Sequence, residues 1–311
     1  MSQSTNSILM IRPANFRKNK QTAVNNYYQK DMPISDEKAS SIAQNEFDVF
    51  VEKLRNAGVH VITVSEDKEK HTPDAVFPNN WISFHKNGTI AIYPMFAPNR
   101  RLERNPKVLE LIEKEGYLIE NVVDYTSAED EELYLEGTGS LVLDRENRKA
   151  YCALSQRAHE QLVIEFCEDF EYTPVIFKAY QTVDEQRLPI YHTNVMMSVA
   201  KQFCMICLDS IDDSKERKNV LKHLKQDGKE IIVLAEDQIN SFAGNTLQVV
   251  NSNNKAILVM STAAYNILTK IQIQTIQEYC KILHSDLSTI ETLGGGSARC
   301  MMAEVFLPKK V

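Results

Sequence analysis

Three residues of the kind that builds nucleophilic catalysis stand at separate points of the chain, each near the start of a predicted strand. Cys300 follows the glycines 294–296, His192 precedes Thr193-Asn194-Val195, and Glu136 precedes Gly137. A thiol nucleophile, an imidazole acid/base and a carboxylate that orients the imidazole are typical parts of covalent catalysis. Taken singly, they fit equally a packed strand cysteine, a structural histidine and a surface carboxylate. Their meaning depends on whether the fold gathers them.

The elements around these residues form an internal repeat of hairpin, helix and strand. Five positions that precede the first hairpin strand of each unit recur every 51 to 59 residues: Asn80, Gly139, Asn194, Asn245 and Ser297. A near-constant period of this size indicates a repeat architecture. The clearest hairpin turn is Asn87-Gly88. We expect the last strand, residues 298–306, to pair with Ile8–Arg12 and so join the two chain ends.

The alternation of strands and helices predicts an α/β protein. Ser35 is a predicted helix N-cap, with the helix ended by Gly58, and a later helix is predicted over Ile267–Leu283, followed by a strand at Ser288–Thr292. No linker rich in Pro, Gly or Ser divides residues 1–311, so a single domain is expected. The alternative is a two-domain α+β protein whose spacing is a coincidence.

Composition excludes several function classes. The 311 residues carry 35 Lys and Arg against 42 Asp and Glu, a net charge of −7, which argues against a nucleic-acid partner. No apolar run reaches the roughly 18 residues that span a membrane. The N-terminus has no basic segment ahead of a long apolar run, so we expect a cytoplasmic protein with reduced thiols. Cys204 and Cys207 would face opposite sides of a strand, which favours packing over metal binding.

Five motifs together carry a resemblance to a known superfamily. They are DAVFPNNW, APNRR, EGTGS, YHTNV and GGGSARC. Their order resembles that of the guanidine-modifying enzymes, which include arginine deiminases, dimethylarginine dimethylaminohydrolases and amidinotransferases, and it is most similar to the bacterial citrulline-utilisation hydrolase branch. The resemblance covers nearly the whole chain. It implies the pentein fold, a five-bladed pseudo-symmetric α/β propeller.

The resemblance also implies roles for individual residues. Cys300 would attack the central carbon of a guanidino or ureido group, His192 would protonate the leaving amine and later activate water, and Glu136 would hold the imidazole or a substrate nitrogen. No metal or organic cofactor is implied. Arg100 or Arg101 falls where related enzymes bind the substrate carboxylate.

Arg12 is a second candidate for binding that carboxylate. Asn79, Asn80 and Asn194 occupy positions where the superfamily usually has guanidinium-binding carboxylates. An amide both donates and accepts hydrogen bonds but carries no charge, so this set suits a neutral ureido group. Citrulline is therefore the favoured substrate, giving ornithine, ammonia and carbon dioxide.

Two residues bear on the alternatives. Asp74 could, with Glu136, still bind a cation, and Asn245 shares the repeat phase and is expected to line the pocket. An arginine deiminase, a dimethylaminohydrolase or an amidinotransferase that acts on arginine derivatives is the main alternative. A non-catalytic pentein binding protein, such as a ribosome anti-association factor, is disfavoured by the cysteine and histidine. The partner is thus a small arginine- or citrulline-like amino acid, and a homodimer is also compatible with the resemblance.

Overall fold

A computed structural model describes residues 2–310, in which short strands alternate with helices. The strands, β1 to β17 in order, are Ser7–Arg12, His60–Ser65, Ile82–Phe84, Thr89–Ile92, Asn121–Asp124, Leu141–Asp144, Lys149–Ala153, Thr173–Phe177, Tyr180–Val183, Gln186–Pro189, Met197–Val199, Phe203–Ile206, Glu230–Val233, Leu247–Val250, Ala256–Ser261, Lys281–Ser285 and Ala303–Glu304. The helices, α1 to α9, are Asp36–Asn56, Pro98–Arg101, Lys107–Lys114, Gly137–Ser140, Glu160–Asp169, Ser214–Gln226, Glu236–Asn240, Thr262–Ile267 and Lys270–Tyr279. The chain therefore has the α/β composition that its sequence predicts.

Five three-stranded sheets share one pairing scheme, in which the first strand is antiparallel to the second and the second is parallel to the third. Their strand orders are β3-β4-β5, β6-β7-β8, β11-β12-β13, β14-β15-β16 and β17-β1-β2. The last sheet combines both ends of the chain, with Ile8 opposite Glu304 and Leu9 opposite Ala303. The predicted pairing of the terminal segments is confirmed.

The strand predicted over residues 298–306 is much shorter in the structure. Only Ala303 and Glu304 are in β17, because residues 297–301 form a turn in which the Cys300 amide donates to the Ser297 carbonyl at 3.0 Å. The candidate nucleophile therefore lies on a turn ahead of the strand.

The predicted helix over Ile267–Leu283 is wrong, because the segment divides into α8, α9 and β16. Thr269 and Gln272 form a capping box that starts α9, and Leu283 pairs with Val259 of the neighbouring strand. The strand predicted at Ser288–Thr292 is also wrong, since Ile290–Gly294 is a single π-helical turn.

Helix α1 shows how the sequence pattern becomes packing. The Ser35 hydroxyl caps its N-terminus by accepting from the Lys38 amide, as predicted. Phe47, Phe50 and Leu54 recur at helical spacing and are buried against β1, β2 and β16. Full burial of one such side chain stabilises a fold by about 1.5–3 kcal/mol.

The segments that lead into the first strands of neighbouring sheets contact one another. The 3₁₀ turn Pro78–Asn80 precedes β3, α4 precedes β6, and the 3₁₀ turn Thr193–Val195 precedes β11. Helix α4 contacts both turns. No helix within residues 2–310 is long and apolar enough to cross a membrane.

Candidate active site

The Cys300 thiol lies between two asparagine side chains. Its Sγ is 3.2 Å from Asn245 Nδ2 and 3.5 Å from Asn194 Nδ2, both of which donate towards it. The residue is only 2% exposed. The Asn245 Oδ1 atom accepts from the Arg299 amide at 3.1 Å, which fixes the side-chain amide with its nitrogen towards the sulfur. Two amide donors therefore face the atom that would carry the negative charge of a thiolate.

His192 and Glu136 form a buried pair. Their Nε2 and Oε2 atoms are 2.7 Å apart, and neither residue is more than 1% exposed. Because an ionised carboxylate only accepts hydrogen bonds, Nε2 carries the proton and Nδ1 keeps its lone pair. Burial lowers the pKa of His192 to about 4, even though Glu136 opposes the shift. The imidazole is thus neutral near pH 7 and able to accept a proton.

Glu136 is held in the ionised state by its neighbours. Burial alone would raise its pKa, but Arg157, His192 and Arg100 outweigh that effect and hold the pKa of Glu136 well below its usual range. The nearest guanidinium nitrogens lie 3.4 Å away for Arg157 and 3.8 Å away for Arg100. The Phe96 backbone amide also donates to Oε1 at 3.0 Å.

Arg100 is committed to protein partners. Its guanidinium binds both oxygens of Glu103, at 2.8 and 3.0 Å, and donates to Asn80 Oδ1 at 2.8 Å. Although burial alone would lower its pKa, Glu103 and Asp74 raise it above the usual value, so this side chain is charged. Because these partners already use its N–H donors, Arg100 has few donors left to bind a substrate carboxylate.

Two buried polar atoms in the same region have no hydrogen-bond partner within residues 2–310. One is Asp74 Oδ1, whose companion Oδ2 accepts from Asn19 and Thr22 at 2.8 and 3.1 Å. The other is Asn79 Nδ2. Burial raises the pKa of Asp74 although Arg100 opposes the shift. Unpaired buried polar atoms are costly, so this acceptor and this donor are natural contacts for a ligand.

Residues 19–29, which we name the cover segment, lie over these groups. Asn25 Oδ1 accepts from Arg157 Nε at 3.0 Å, and Gln29 Nε2 donates to the Gly294 carbonyl at 3.1 Å. Gly295 has a φ of +63°, and a β-carbon there would lie within 2.7 Å of Asn26 and Gln29 side-chain atoms. The glycines ahead of Cys300 thus permit close approach of the cover segment.

A second glycine leaves room for the histidine. A β-carbon on Gly139 would lie 2.5 Å from Asn80 Nδ2 and 2.7 Å from His192 Nδ1. Both side chains therefore pack against Gly139: Asn80, which hydrogen-bonds Arg100, and His192, which hydrogen-bonds Glu136. Any side chain at this position would displace one of them.

The structure brings together nine of the eleven sequence-derived site residues, through the contacts described above: Asp74, Asn79, Asn80, Arg100, Glu136, His192, Asn194, Asn245 and Cys300. Arg101 lies beside this group, with its Nε 3.4 Å from Glu129. Arg12 lies apart, because its side chain, 37% exposed, forms a 2.7 Å ion pair with Asp48 of α1. The prediction that Arg12 binds substrate is therefore not supported by its position.

Two charged residues of this cluster, Glu103 and Arg157, are not among the residues predicted from the sequence. The i, i+3 spacing of Arg100 and Glu103 on one helical turn is a recognisable signal for an ion pair. Nothing local distinguishes Arg157, whose guanidinium lies 4.8 Å from the centre of the Tyr191 ring and 3.4 Å from Glu136. Within residues 2–310, no cluster of three His, Cys, Asp or Glu side chains is arranged to hold a metal ion.

A comparison with protein families decides the affiliation of the chain. Residues 12–307 match the family described as N,N dimethylarginine dimethylhydrolase, eukaryotic. The chain belongs to this family. The resemblance to guanidine-modifying enzymes is thereby confirmed. No curated protein sequence matches the chain significantly.

Solved structures show that the family fold is the pentein-type α/β fold. ArgZ, an arginine dihydrolase from the ornithine-ammonia cycle in cyanobacteria, is 18% identical and superposes with a TM-score of 0.73, over 97% of this chain and 41% of ArgZ. AgrE in complex with ornithine and NAD+ is 20% identical, with a TM-score of 0.73, over 97% of this chain and 39% of AgrE. The chain therefore spans about two fifths of either protein.

A dimethylarginine dimethylaminohydrolase bound as an adduct with S-methyl-L-thiocitrulline is similar over its full length. It is 13% identical, with a TM-score of 0.61, and the match covers 96% of this chain and 98% of that one. The N-terminal domain of ArgZ is likewise covered to 99%.

Proposed function

We propose that this chain is a cysteine-dependent hydrolase that cleaves a C–N bond of a ureido or guanidino amino acid. The observation that carries the proposal is the 2.7 Å contact between His192 Nε2 and Glu136, in the same buried cluster as the amide-flanked thiol of Cys300. In this role Cys300 is the nucleophile, His192 the acid/base, and Glu136 the group that sets the imidazole tautomer.

With citrulline, the reaction has two steps. His192 takes the proton of the Cys300 thiol, and the resulting thiolate attacks the ureido carbon. The bond from that carbon to the ornithine nitrogen then breaks as His192 passes this proton to the leaving amine. This leaves an S-carbamoyl cysteine. His192 then takes a proton from water, the hydroxide displaces the thiolate, and the released carbamic acid decomposes to ammonia and carbon dioxide.

The two asparagines beside Cys300 support the first step. Asn245 and Asn194 donate towards the sulfur, so each stabilises the thiolate before attack. Their amides are uncharged and therefore lower the energy of the anion without binding it as an ion pair. The nucleophile stays available for the substrate carbon.

Citrulline is favoured by the unpaired donor of Asn79. A ureido group carries a carbonyl oxygen that can accept from Asn79 Nδ2, whereas a guanidinium has donors only. Asn80, by contrast, already gives its Oδ1 atom to Arg100 and therefore contributes less to substrate choice than the sequence suggests.

The unpaired oxygen of Asp74 favours the second candidate, an enzyme acting on arginine or a methylated arginine. Three carboxyl groups, Asp74, Glu103 and Glu136, face two buried arginines, and burial raises the pKa of Glu103 to about 8 although Arg100 opposes the shift. A bound guanidinium would stabilise the ionised forms of these carboxyl groups, and Asp74 Oδ1 could accept one of its N–H groups. The family name and the arginine dihydrolase activity of ArgZ favour the same chemistry.

One pair of reciprocal variants separates the two substrates. Purified protein is incubated with citrulline, arginine, agmatine and dimethylarginine, and kcat/KM is measured from ammonia release with products identified by mass spectrometry. We expect citrulline turnover, a fall in the citrulline-to-arginine ratio in Asn79→Asp, and a rise in Asp74→Asn. Turnover of arginine with citrulline untouched would reverse the substrate order. Full activity in Cys300→Ser would overturn the mechanism.

We assign the substrate carboxylate to Arg157 in place of Arg12, Arg100 or Arg101. Its Nε and Nη2 donors bind Asn25 and the Thr22 carbonyl, both in the cover segment. Movement of that segment to admit substrate would free these donors, whereas Arg100 would keep Glu103. Arg157→Lys should therefore raise KM for the amino acid more than it lowers kcat.

The repeated sheets support a five-bladed propeller within a single domain. The first strands β3 and β17, β6 and β11, and β11 and β14 contact one another in pairs, as neighbouring blades around a common axis would. We further propose a cytoplasmic enzyme whose partner is a small amino acid. Sedimentation equilibrium would decide between a monomer and a homodimer.

A further inference from the structure

A cavity of about 470 Å³ lies at the opposite ends of two strands from the candidate active site. Strands β3 and β6 begin just after Asn80 and Ser140, which lie in that site, and they end next to His85 and Arg145, which line the cavity. Strands of three and four residues are about 10 and 13 Å long. The cavity is therefore separate from the reacting groups.

Arg145 is the central charged group of this cavity. It is 4% exposed, and its guanidinium carbon lies 4.1 Å from the centre of the Phe306 ring. Its side chain makes no hydrogen bond with any residue in 2–310. Its one ionic contact among these residues is with Glu304, 3.8 Å away, and that carboxylate already binds Arg299 at 2.9 Å. A buried guanidinium whose donors are unused is poised to bind an anion.

The charges around the cavity add to this preference. Lys86 and Lys309 also line it, and within the described part of the chain neither has a carboxylate at ion-pair distance. The two lining carboxylates already have partners: Asp169 accepts from Tyr125 at 2.7 Å, and Glu171 lies 3.0 Å from Arg148, which also lines the cavity. The unneutralised charge of the cavity is positive, which attracts anions.

Part of the remaining wall is aromatic. Phe170, Tyr172 and Phe306 line the cavity, and its volume is in the range of small-molecule sites. We propose that this cavity binds a small organic anion that carries a planar ring, with its carboxylate or phosphate on Arg145 and its ring against these aromatic side chains. Aromatic carboxylates and nucleoside monophosphates share this chemistry.

A bound anion would influence the Cys300 thiol through Glu304. This carboxylate is shared between Arg145 and Arg299, and Arg299 directly precedes Cys300. The Arg299 backbone amide also donates to Asn245 Oδ1, the residue whose Nδ2 lies 3.2 Å from Cys300 Sγ. An anion that draws Arg145 away from Glu304 leaves that carboxylate to Arg299 alone. Occupancy is therefore expected to change the reactivity of Cys300.

Binding is tested by titration calorimetry on the full chain with AMP, benzoate and inorganic phosphate as probes. We expect AMP or benzoate to bind more tightly than phosphate, and the tighter probe to identify the anionic group. Arg145→Met and the double variant Lys86→Ala/Lys309→Ala should each weaken binding at least tenfold. The control Lys114→Ala/Lys218→Ala removes the same charge from exposed helix positions and should leave binding unchanged.

Failure of both ring-bearing probes to bind would overturn the proposal, as would binding that neither cavity variant weakens. Thermal unfolding shows whether Arg145→Met is folded. If it is not, the double lysine variant, which changes exposed side chains only, decides the result. This readout needs no turnover, so it can fail or succeed independently of the proposed substrate.

Coupling is tested by the rate at which iodoacetamide alkylates Cys300, with and without a saturating concentration of the probe that binds. We expect at least a threefold change, which Glu304→Gln abolishes while binding persists. An unchanged alkylation rate at saturation would overturn the coupling and leave the cavity an isolated site.

Discussion

Replacing Glu136 by Gln separates the orientation of His192 from the rest of the buried charge cluster. The substitution keeps the size of the side chain but removes the charge that faces His192, Arg157 and Arg100 at 2.7, 3.4 and 3.8 Å. A glutamine can present its NH₂ group to Nε2. The imidazole would then carry its proton on Nδ1, and the general base would be lost.

Two magnitudes follow from these contacts. Removal of one partner from a buried charge pair costs about 3–5 kcal/mol of unfolding free energy, because the opposite charges stay behind without compensation. Loss of a correctly oriented acid/base lowers the rate by about 10²- to 10⁴-fold. We therefore expect Glu136→Gln to have kcat/KM reduced by that factor and a lower thermal midpoint.

The matched control is Glu103→Gln. Glu103 is also buried in the cluster, and it binds Arg100 at 2.8 and 3.0 Å without contacting His192. Its loss should therefore lower stability by a similar amount while reducing kcat/KM much less. Both variants are measured by urea unfolding and by steady-state turnover of citrulline and arginine. Equal rate losses in the two variants would refute a specific role for Glu136 in orienting the imidazole.

Three further predictions concern the thiol and the histidine. Iodoacetamide should modify Cys300 first, and substrate should protect it, since burial raises the pKa of the five other thiols: Cys152, Cys167, Cys204, Cys207 and Cys280. Peptide mapping that finds another cysteine modified first would contradict this. Burial lowers the pKa of His192 to about 4, so the unfolded chain binds a proton there below about pH 6.5 while the folded protein does not. The free energy of unfolding should fall by about 3 kcal/mol as the pH drops from about 6.5 to about 4. The acidic limb of the pH profile of kcat/KM should lie near pH 4, and a limb near 6.5 would argue against a buried neutral imidazole. Asn245→Asp places a carboxylate 3.2 Å from the Cys300 sulfur, which should slow alkylation at pH 7 at least tenfold because like charges disfavour the thiolate. The control is Asn253→Asp at an exposed position, and an unchanged rate in Asn245→Asp would show that the amide does not act on the sulfur.

Short-range signals in the sequence predicted local structure well. The Asn87-Gly88 turn joins β3 and β4, and Ser35 caps α1, because both depend on a few adjacent residues. The repeat spacing also predicted that the chain ends pair in one sheet, which the contact of Ile8 with Glu304 confirms. A repeat constrains topology because equivalent units make equivalent contacts.

Features that depend on tertiary contacts were missed or misassigned. Strand β16 was predicted as the end of a helix, since its identity comes from pairing with β15 and not from its own periodicity. The hairpin Tyr180–Val183 and Gln186–Pro189 was not predicted, because its exposed polar residues carry no buried face to reveal it.

The sequence by itself determined which chemical groups are available to the site. Cys300, His192 and Glu136 stand in equivalent loops of a repeat, and their family can be recognised from the motifs around them. Only the tertiary structure decided which polar groups remain free. Arg100 donates a hydrogen bond to Asn80, whereas Asp74 and Asn79 each keep one side-chain atom without a partner. The physical reason is that a hydrogen bond is satisfied by whichever group the fold places within about 3 Å, and that partner can lie anywhere along the chain.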